Sequence, residues 1–300
     1  MFTGRKDRQA EGLPILISDW VVGQSGGWLQ QGTESGRRSK MQKDFINKLF
    51  SLEGKTVLVT GAGRGIGQVV ARDMARAGAN IAIFSRSGAD ETVRIIESEG
   101  GKAISIIADC TKAEEVKDGM KKILDAYGRL DVVFNNAGIC YHKGIFEATY
   151  EEFRELIDIN LTGEYIVAVE AARVMIELGC KGSIINMASI SGTVAMTPQK
   201  QAAYNASKAG VMQMTKSLAL ELADHNIRVN SISPGYIATP MSVDPDFVEP
   251  ELMAAWEPLM PMHRMAKPEE LVGAIIWLAS EASSYTNGID VIIDGLYTAI

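Results

Sequence analysis

Cysteine is scarce in this chain of 300 residues: there are three, Cys110, Cys140 and Cys180. The odd count and the lack of any C-x-x-C pair argue against a disulfide framework and against a thiolate metal site. They point instead to a reducing compartment, with the cytoplasm as the expected location. Histidine is equally rare, and His142, His225 and His263 show no metal-ligand spacing, so no metal is expected. Positive charge is in deficit, 30 Lys plus Arg against 37 Asp plus Glu for a net −7, which is the wrong sign for a protein whose main partner is nucleic acid. No run approaches the roughly 18 uninterrupted apolar residues of a membrane helix, so no membrane partner is expected.

What remains is ordinary globular composition, 46% hydrophobic and 22% charged, in a chain long enough for one large α/β domain. The first forty residues differ, being rich in Gly, Gln and Ser. Their only apolar run, "LPILISDWVV", is broken by Asp19, whereas a signal peptide would carry a longer clean apolar core. Residues 1–50 therefore read as an extension, partly disordered or a start-site artefact, and residues 51–300 as the folded domain.

From residue 52 short β-branched runs alternate with longer helical stretches. Strands are expected over 55–60, 80–85, 102–108, 130–136, 182–188, 227–233 and 290–294, with helices near 65–77, 88–99, 112–127, 149–178, 200–223 and 268–280. The strands are nearly continuous apolar runs, as in a parallel sheet covered on both faces. Strand–helix alternation throughout predicts an α/β fold: a single doubly wound, Rossmann-type sheet of seven parallel strands.

"VLVTGAGRGIGQVV" sets a glycine cluster between the first strand and the first helix of this pattern, with Thr60, Gly61, Gly65 and Gly67 in the spacing T-G-x-x-x-G-x-G. Glycine permits a tight turn and lets backbone approach a pyrophosphate, which the helix N-terminus then attracts. No Lys-Ser/Thr pair follows, so a triphosphate P-loop does not fit. The second strand ends in Ser85 and Arg86 rather than an acid, and Arg64 lies within the glycine loop. A hydroxyl and guanidinium groups suit a 2′-phosphate that a carboxylate would repel, so the cofactor reads as NADP, with NAD possible.

In "QAAYNASKAGVMQMTKSLALELA", Tyr204 and Lys208 are four residues apart on a helical pattern and leave the same face. A tyrosine near its ordinary pKa of ~10 is a poor base. An ammonium beside it favours the phenolate, so the pair reads as a general acid and base with its modulator. Ser189 and Ser191 both follow the apolar strand "SIINMA", at the end where open α/β sheets bind ligands.

Taken in order, "TGAGRGIG", "NNAG" (135–138), "IDINLTG", "MASISG", "YNASK" and "SPGYIATPM" make the chain resemble the short-chain dehydrogenase/reductases from about residue 52 to its end. The resemblance implies a catalytic tetrad of Asn160, Ser189, Tyr204 and Lys208. Ser189 is the serine three residues before Gly192, and Asn160 would kink its helix. It also implies cofactor contacts by Ile66 in the glycine loop, by Asp109 at the adenine, and by Asn136, Ala137 and Gly138 beneath the adenine-side ribose. Pro234 and Gly235 would shape the turn from which Ile237 and Thr239 fix the nicotinamide carboxamide, and Lys208 would also meet the nicotinamide ribose. Two departures stand out: the Ser189–Tyr204 interval is about two residues longer than is common, and Leu296 stands where a second glycine usually follows "DG".

Substrate contacts are expected from loops at the carboxyl ends of the strands, with Ser191, His142, Gln199, Asn205, Tyr236 and Trp256 as candidates and residues 236–265 as a helical lid. The long Ser–Tyr interval and the ending "SSYTNGIDVIIDGLYT" look similar to polyol and sugar dehydrogenases, so ketose–polyol interconversion is the expected reaction on a small-molecule substrate. The rivals are a 3-oxoacyl-thioester reductase of the same fold and a redox-inert dinucleotide-binding regulator. Helices 149–178 and 200–223 carry apolar residues on more than one face, and the resemblance implies a homotetramer. Arg86→Ala is expected to weaken NADP binding by at least an order of magnitude, about 1.4 kcal/mol, with NAD use almost unchanged. Kinetics with both cofactors check this, and equal losses for the two would remove the phosphate-reading role.

Overall fold

Two short segments precede the main body in the computed structural model, which describes residues 20–22, 28–30 and 34–300 apart from Phe247. Most of the expectation for residues 1–40 falls outside the described residues. The chain divides into two compact units, Met1–Lys48 and Leu49–Ile300. In the first, β1 (Trp20–Val22) pairs antiparallel with β2 (Trp28–Gln30), and the helix α1 runs Glu34–Phe50.

The second unit alternates strand and helix: β3 (Thr56–Thr60), α2 (Gly65–Arg76), β4 (Asn80–Ser85), α3 (Asp90–Ser98), β5 (Lys102–Ile107), α4 (Ala113–Tyr127) and β6 (Val132–Asn135). There follow α5 (Tyr150–Ile157), α6 (Gly163–Glu177), β7 (Gly182–Met187), α7 (Ala202–Glu221) and β8 (Ile227–Pro234). The chain ends with α8 (Pro240–Val243), α9 (Pro250–Trp256), α10 (Glu269–Ala279) and β9 (Asp290–Ile293). The seven strands β3 to β9 form one parallel sheet in the order β5-β4-β3-β6-β7-β8-β9. The chain winds outward from β3 through β4 and β5, then returns to β6 on the other side, so a crevice opens between the ends of β3 and β6.

Period-two alternation divides the strand residues between two apolar layers. Val57, Val59, Ile81, Ile83 and Phe134 pack with Val70 and Met74 of α2 and with Leu271 and Ile275 of α10. Leu58, Ala82, Phe84, Val133 and Ile184 face Val116 and Met120 of α4, Val167 and Ala171 of α6, and Leu218 of α7. The sequence therefore reads correctly as a sheet buried on both faces.

Two local features differ from the expectation. The helix foreseen over 149–178 is two helices joined by a π-helical turn, Asp158–Thr162, in which hydrogen bonding widens to accommodate one extra residue. Leu296 adopts φ 78°, the left-handed conformation that the usual glycine would supply, so the turn persists with a residue that finds it costly.

Packing is close where α2 meets the end of β3. A Cβ added to Gly67 would lie 2.5 Å from Asn136 Nδ2, 2.7 Å from the Gly61 carbonyl oxygen and 2.9 Å from Ala62 Cα. Gly67→Ala is therefore expected to lower the unfolding free energy by about 1–3 kcal/mol through overpacking. That outweighs the ~1 kcal/mol that alanine adds to a helix interior. Denaturant unfolding checks it, and an unchanged or raised midpoint would contradict the packing argument.

Candidate active site

The floor of the crevice is built from backbone. Thr60, buried at the end of β3, accepts hydrogen bonds at Oγ1 from the amides of Asn136 (2.9 Å) and Ala137 (3.0 Å), and Asn136 Nδ2 donates to the Thr60 and Gly61 carbonyls. Gly61 has φ 68°, and a Cβ there would stand 2.8 Å from Ala137 Cα. The β3–α2 loop and the β6 loop are thus pressed together. Thr60 and Gly67 serve this closure and do not line the cavity, whereas Gly61, Arg64, Gly65 and Ile66 do. No side chain caps the N-terminus of α2, so its first-turn amides face the cleft with the partial positive charge of a helix start.

One cavity of about 700 Å³ runs from this loop to the end of β7. At its first end lie Ser85, Arg86 and Asp109. The Ser85 hydroxyl donates to the Gly88 carbonyl (2.9 Å). Burial works against the Asp109 carboxylate, but bonds from Thr111 and the charge of Arg86 outweigh it and hold the pKa below the usual value. Asn136, Ala137 and Gly138 line the middle, with Pro234, Gly235, Ile237 and Thr239 opposite them.

At the far end Ser189, Tyr204 and Lys208 meet. Ser189 leaves β7 in extended backbone, and its Oγ caps a short 3₁₀ turn by accepting the Ser191 amide (3.2 Å). Gly192 ends that turn, where a Cβ would lie 2.8 Å from both the Ala209 nitrogen and the Lys208 carbonyl carbon. Only glycine lets the turn sit this close to α7, which explains the serine-to-glycine spacing of the motif. Tyr204 and Lys208 lie one turn apart on α7, with Lys208 Nζ 5.9 Å from the tyrosine ring centre. Asn160, within the π-turn and fully buried, clamps Ile139 from both sides: its Oδ1 accepts the Ile139 amide and its Nδ2 donates to the Ile139 carbonyl, each at 2.8 Å. It positions the loop beside the cleft without lining it.

The electrostatics correct one expectation. Burial pushes the Tyr204 hydroxyl well above its ordinary pKa, and the hydrogen bond with Ser189 only partly opposes this. The Lys208 side chain donates to the Met187 carbonyl (2.5 Å) and to Glu164 Oε1 (3.2 Å). Glu164 escaped the sequence reading. Its one available signal was its place four residues after Asn160, on the same helical face. Cys110 and Cys140 have thiols pushed up to about 12 by burial, so neither is a nucleophile at neutral pH.

The wall beyond Tyr204 is polar. Trp256 Nε1 donates to Gln199 Oε1 (2.9 Å), and Gln199 Nε2 donates to the Tyr236 hydroxyl (3.0 Å), so α9 is tied across the cleft to the β7–α7 loop. The Tyr236 and Trp256 rings stack at 4.9 Å, and His142 meets Trp256 edge-on at 5.8 Å. Gln201, absent from the sequence reading, donates to Ser191 Oγ (3.0 Å) and to Asn205 Oδ1 (2.9 Å). Ser191, His142, Gln199, Tyr236 and Trp256 line the cavity; Asn205 stands behind it. Burial lowers the His142 imidazole pKa despite Gln201, and among the described residues His142 Nδ1 has no hydrogen-bond partner. Also among the described residues, no cluster of three or more His, Cys, Asp or Glu is arranged to hold a metal, and no helix is long and apolar enough to cross a membrane.

Comparison with known proteins agrees with this geometry. The family model described as enoyl-(acyl carrier protein) reductase matches residues 61–298. The chain is 39% identical over 254 residues to the sorbose reductase of Candida albicans, covering 83% of this chain and 89% of that protein. It is 40% identical over 262 residues to the NADP-dependent mannitol dehydrogenase of Alternaria alternata, covering 85% and 97%. A crystal structure of a short-chain type dehydrogenase/reductase from Mycobacterium marinum superposes with TM-score 0.78 at 42% identity, covering 84% and 98%. A seven-stranded doubly wound sheet, a bare glycine floor at its switch point and these relatives together make the chain an oxidoreductase belonging to the short-chain dehydrogenase/reductase family, similar within it to polyol and sugar dehydrogenases.

Proposed function

We propose that the protein interconverts a secondary alcohol and a ketone, a polyol and its ketose, using NADP. The observation that carries this reading is the continuity of one cleft, from Arg64 and Arg86 to Ser189, Tyr204 and Lys208, ending on a wall of hydroxyl, amide, indole and imidazole groups. Such a wall suits a ligand with hydroxyls on successive carbons, and the names of the sorbose and mannitol relatives support the same class. The mannitol relative is NADP-dependent, which agrees with Arg86 standing where an NAD enzyme carries an acid.

The residues fit a dinucleotide, because the Gly61–Gly65 floor is bare backbone where a pyrophosphate must approach closely. Gly61, Arg64 and Gly65 would hold the pyrophosphate, Ser85 and Arg86 the 2′-phosphate, Asp109 the adenine, and Ile237 and Thr239 the nicotinamide end. When bound, the nicotinamide gives or takes the hydride. The chain's own groups do the remaining work. Ser189 donates to the reacting oxygen and holds it against Tyr204. Tyr204 donates its hydroxyl proton to the carbonyl in reduction and receives the alcohol proton in oxidation. The positive charge of Lys208 opposes the burial that disfavours the phenolate. The Trp256–Gln199–Tyr236 chain keeps α9 over the site and water out of it.

Exposed Phe153, Tyr165 and Ile176 on α5 and α6, with Leu220 on α7, support assembly into a homotetramer. The test is NADPH oxidation, followed by absorbance, with a panel of ketoses and a 3-oxoacyl thioester. Turnover of a ketose is expected, and Tyr204→Phe is expected to lower kcat by about 10²–10⁴-fold with cofactor affinity kept. Turnover of the thioester alone would move the assignment to a carrier-linked reductase. Tight cofactor binding with no turnover of any carbonyl would make the protein a regulator.

A further inference from the structure

Glu164 is a buried acid that the tetrad does not account for. It is the second residue of α6, just beyond the π-turn that carries Asn160, and it is 3% exposed. Its Oε1 accepts from Lys208 Nζ at 3.2 Å, and both side chains are 2% exposed. Its Oε2 is buried with no hydrogen-bond partner among the described residues. Its backbone carbonyl accepts from Asn135 Nδ2 (3.2 Å), which also donates to Asn186 Oδ1 (3.0 Å), so the start of α6 is tied to β6 and β7. A carboxylate placed this deep costs several kcal/mol unless it is paired, and Lys208 is its ion-pair partner.

We propose that Glu164 is a positioning residue for the Tyr204–Lys208 pair: one carboxylate oxygen anchors the lysine ammonium, and its negative charge offsets the pull of that ammonium on the tyrosine hydroxyl. The inference rests on the tyrosine–lysine reading above. Two consequences follow from charge and distance. An ionised Glu164 makes the Tyr204 phenolate harder to form, and the direction of its effect on that hydroxyl is upward. Glu164 is itself held between opposing influences: burial pushes it up to about 7, while Lys208 and the Met187 amide pull the other way. Burial thus favours the neutral acid while the lysine beside it favours the carboxylate.

The titratable groups facing Glu164 are Lys208 and Tyr204 from α7 and Cys110 from the loop after β5; Asp109 and Arg86 act on Cys110. The strands β6 and β7 contribute the neutral Asn135 side chain and the Met187 backbone. Burial pushes the Cys110 thiol up to about 12 and raises the Glu164 carboxyl above its ordinary value.

The experiment compares pH–rate profiles of wild type, Glu164→Gln and Tyr204→Phe in both directions, with NADP(H) and the alcohol–ketone pair of the panel that the wild type turns over. Glutamine keeps the shape and an oxygen acceptor for Lys208 but removes the charge. In Glu164→Gln the limb that reports Tyr204 is expected to move to lower pH by about one unit in both directions. A merely structural role would lower the rate and leave the limb in place. An unmoved limb, with Tyr204→Phe inactive, overturns the role of Glu164 while leaving the tyrosine–lysine reading intact. A Tyr204→Phe enzyme of normal rate overturns that reading and this inference with it.

A measurement on the cofactor-free protein is independent of turnover. Because the folded pKa lies above the ordinary value of 4.5, the native state holds this proton more tightly, and wild-type stability falls as pH rises from there through about 7. Thermal midpoints of the wild type are expected to drop across that window relative to Glu164→Gln. Should Glu164→Gln not fold, infrared spectra of the wild type decide. A buried glutamate that is ionised above neutrality supports the proposal, and a protonated carboxyl band that persists there overturns it.

Discussion

Removing a lysine ammonium from water is expensive, and Lys208 is almost completely removed. The arrangement around it is what makes that tolerable. The Met187 carbonyl must end β7 pointing at α7, and an acid must arrive from α6 on the other side. The second requirement needs α6 to start at the right depth, which the π-turn sets by its extra residue. The first needs the β7–α7 connection to turn at once, which Gly192 permits by resting on the Lys208 backbone. Ser189, Asn160 and Tyr204 are then carried into place by elements whose positions this buried charge already constrains.

Burial has a second effect on the same site. It raises the Tyr204 hydroxyl, while Ser189 draws it back down. Removal from water strengthens charge interactions, so the buried ammonium, carboxylate and phenol are read together rather than one at a time. The polar wall of Gln199, Tyr236 and Trp256 contributes by bonding its groups to one another, so that its donors are already ordered before a ligand arrives.

Much of this was legible in the residues because the relevant patterns are local. Val57, Val59 and Leu58 lie in an unbroken apolar run because both faces of β3 are covered, and such runs mark every inner strand. Gly61 and Gly65 announce a turn that L side chains resist, and both have positive φ. The Tyr204–Lys208 spacing gives a shared face directly. What escaped depends on contacts between distant segments. The run 149–178 keeps helical character throughout, and the widened turn at 158–162 carries Asn160, which is bonded to the distant Ile139. Glu164 looks like any acid near a helix start, and its burial arises only when α7 delivers Lys208. Gln201 sits in a polar loop, and its bonds to Ser191 and Asn205 need the fold of that loop. The burial that raises the Tyr204 hydroxyl escaped for the same reason, since adjacency to a lysine is visible in sequence and desolvation is not.

The reversal of winding between β3 and β6 has a further effect on how such a chain changes over time. Loops after β3, β4 and β5 supply Arg64, Arg86 and Asp109, whereas loops after β6, β7 and β8 supply His142, Gln199 and Tyr236. One end of the cleft is thus lined from the first half of the domain, and the wall beyond Tyr204 from the second half. Insertions or exchanges in the loops of the second half would reshape that wall and leave the glycine turn between β3 and α2 as it is.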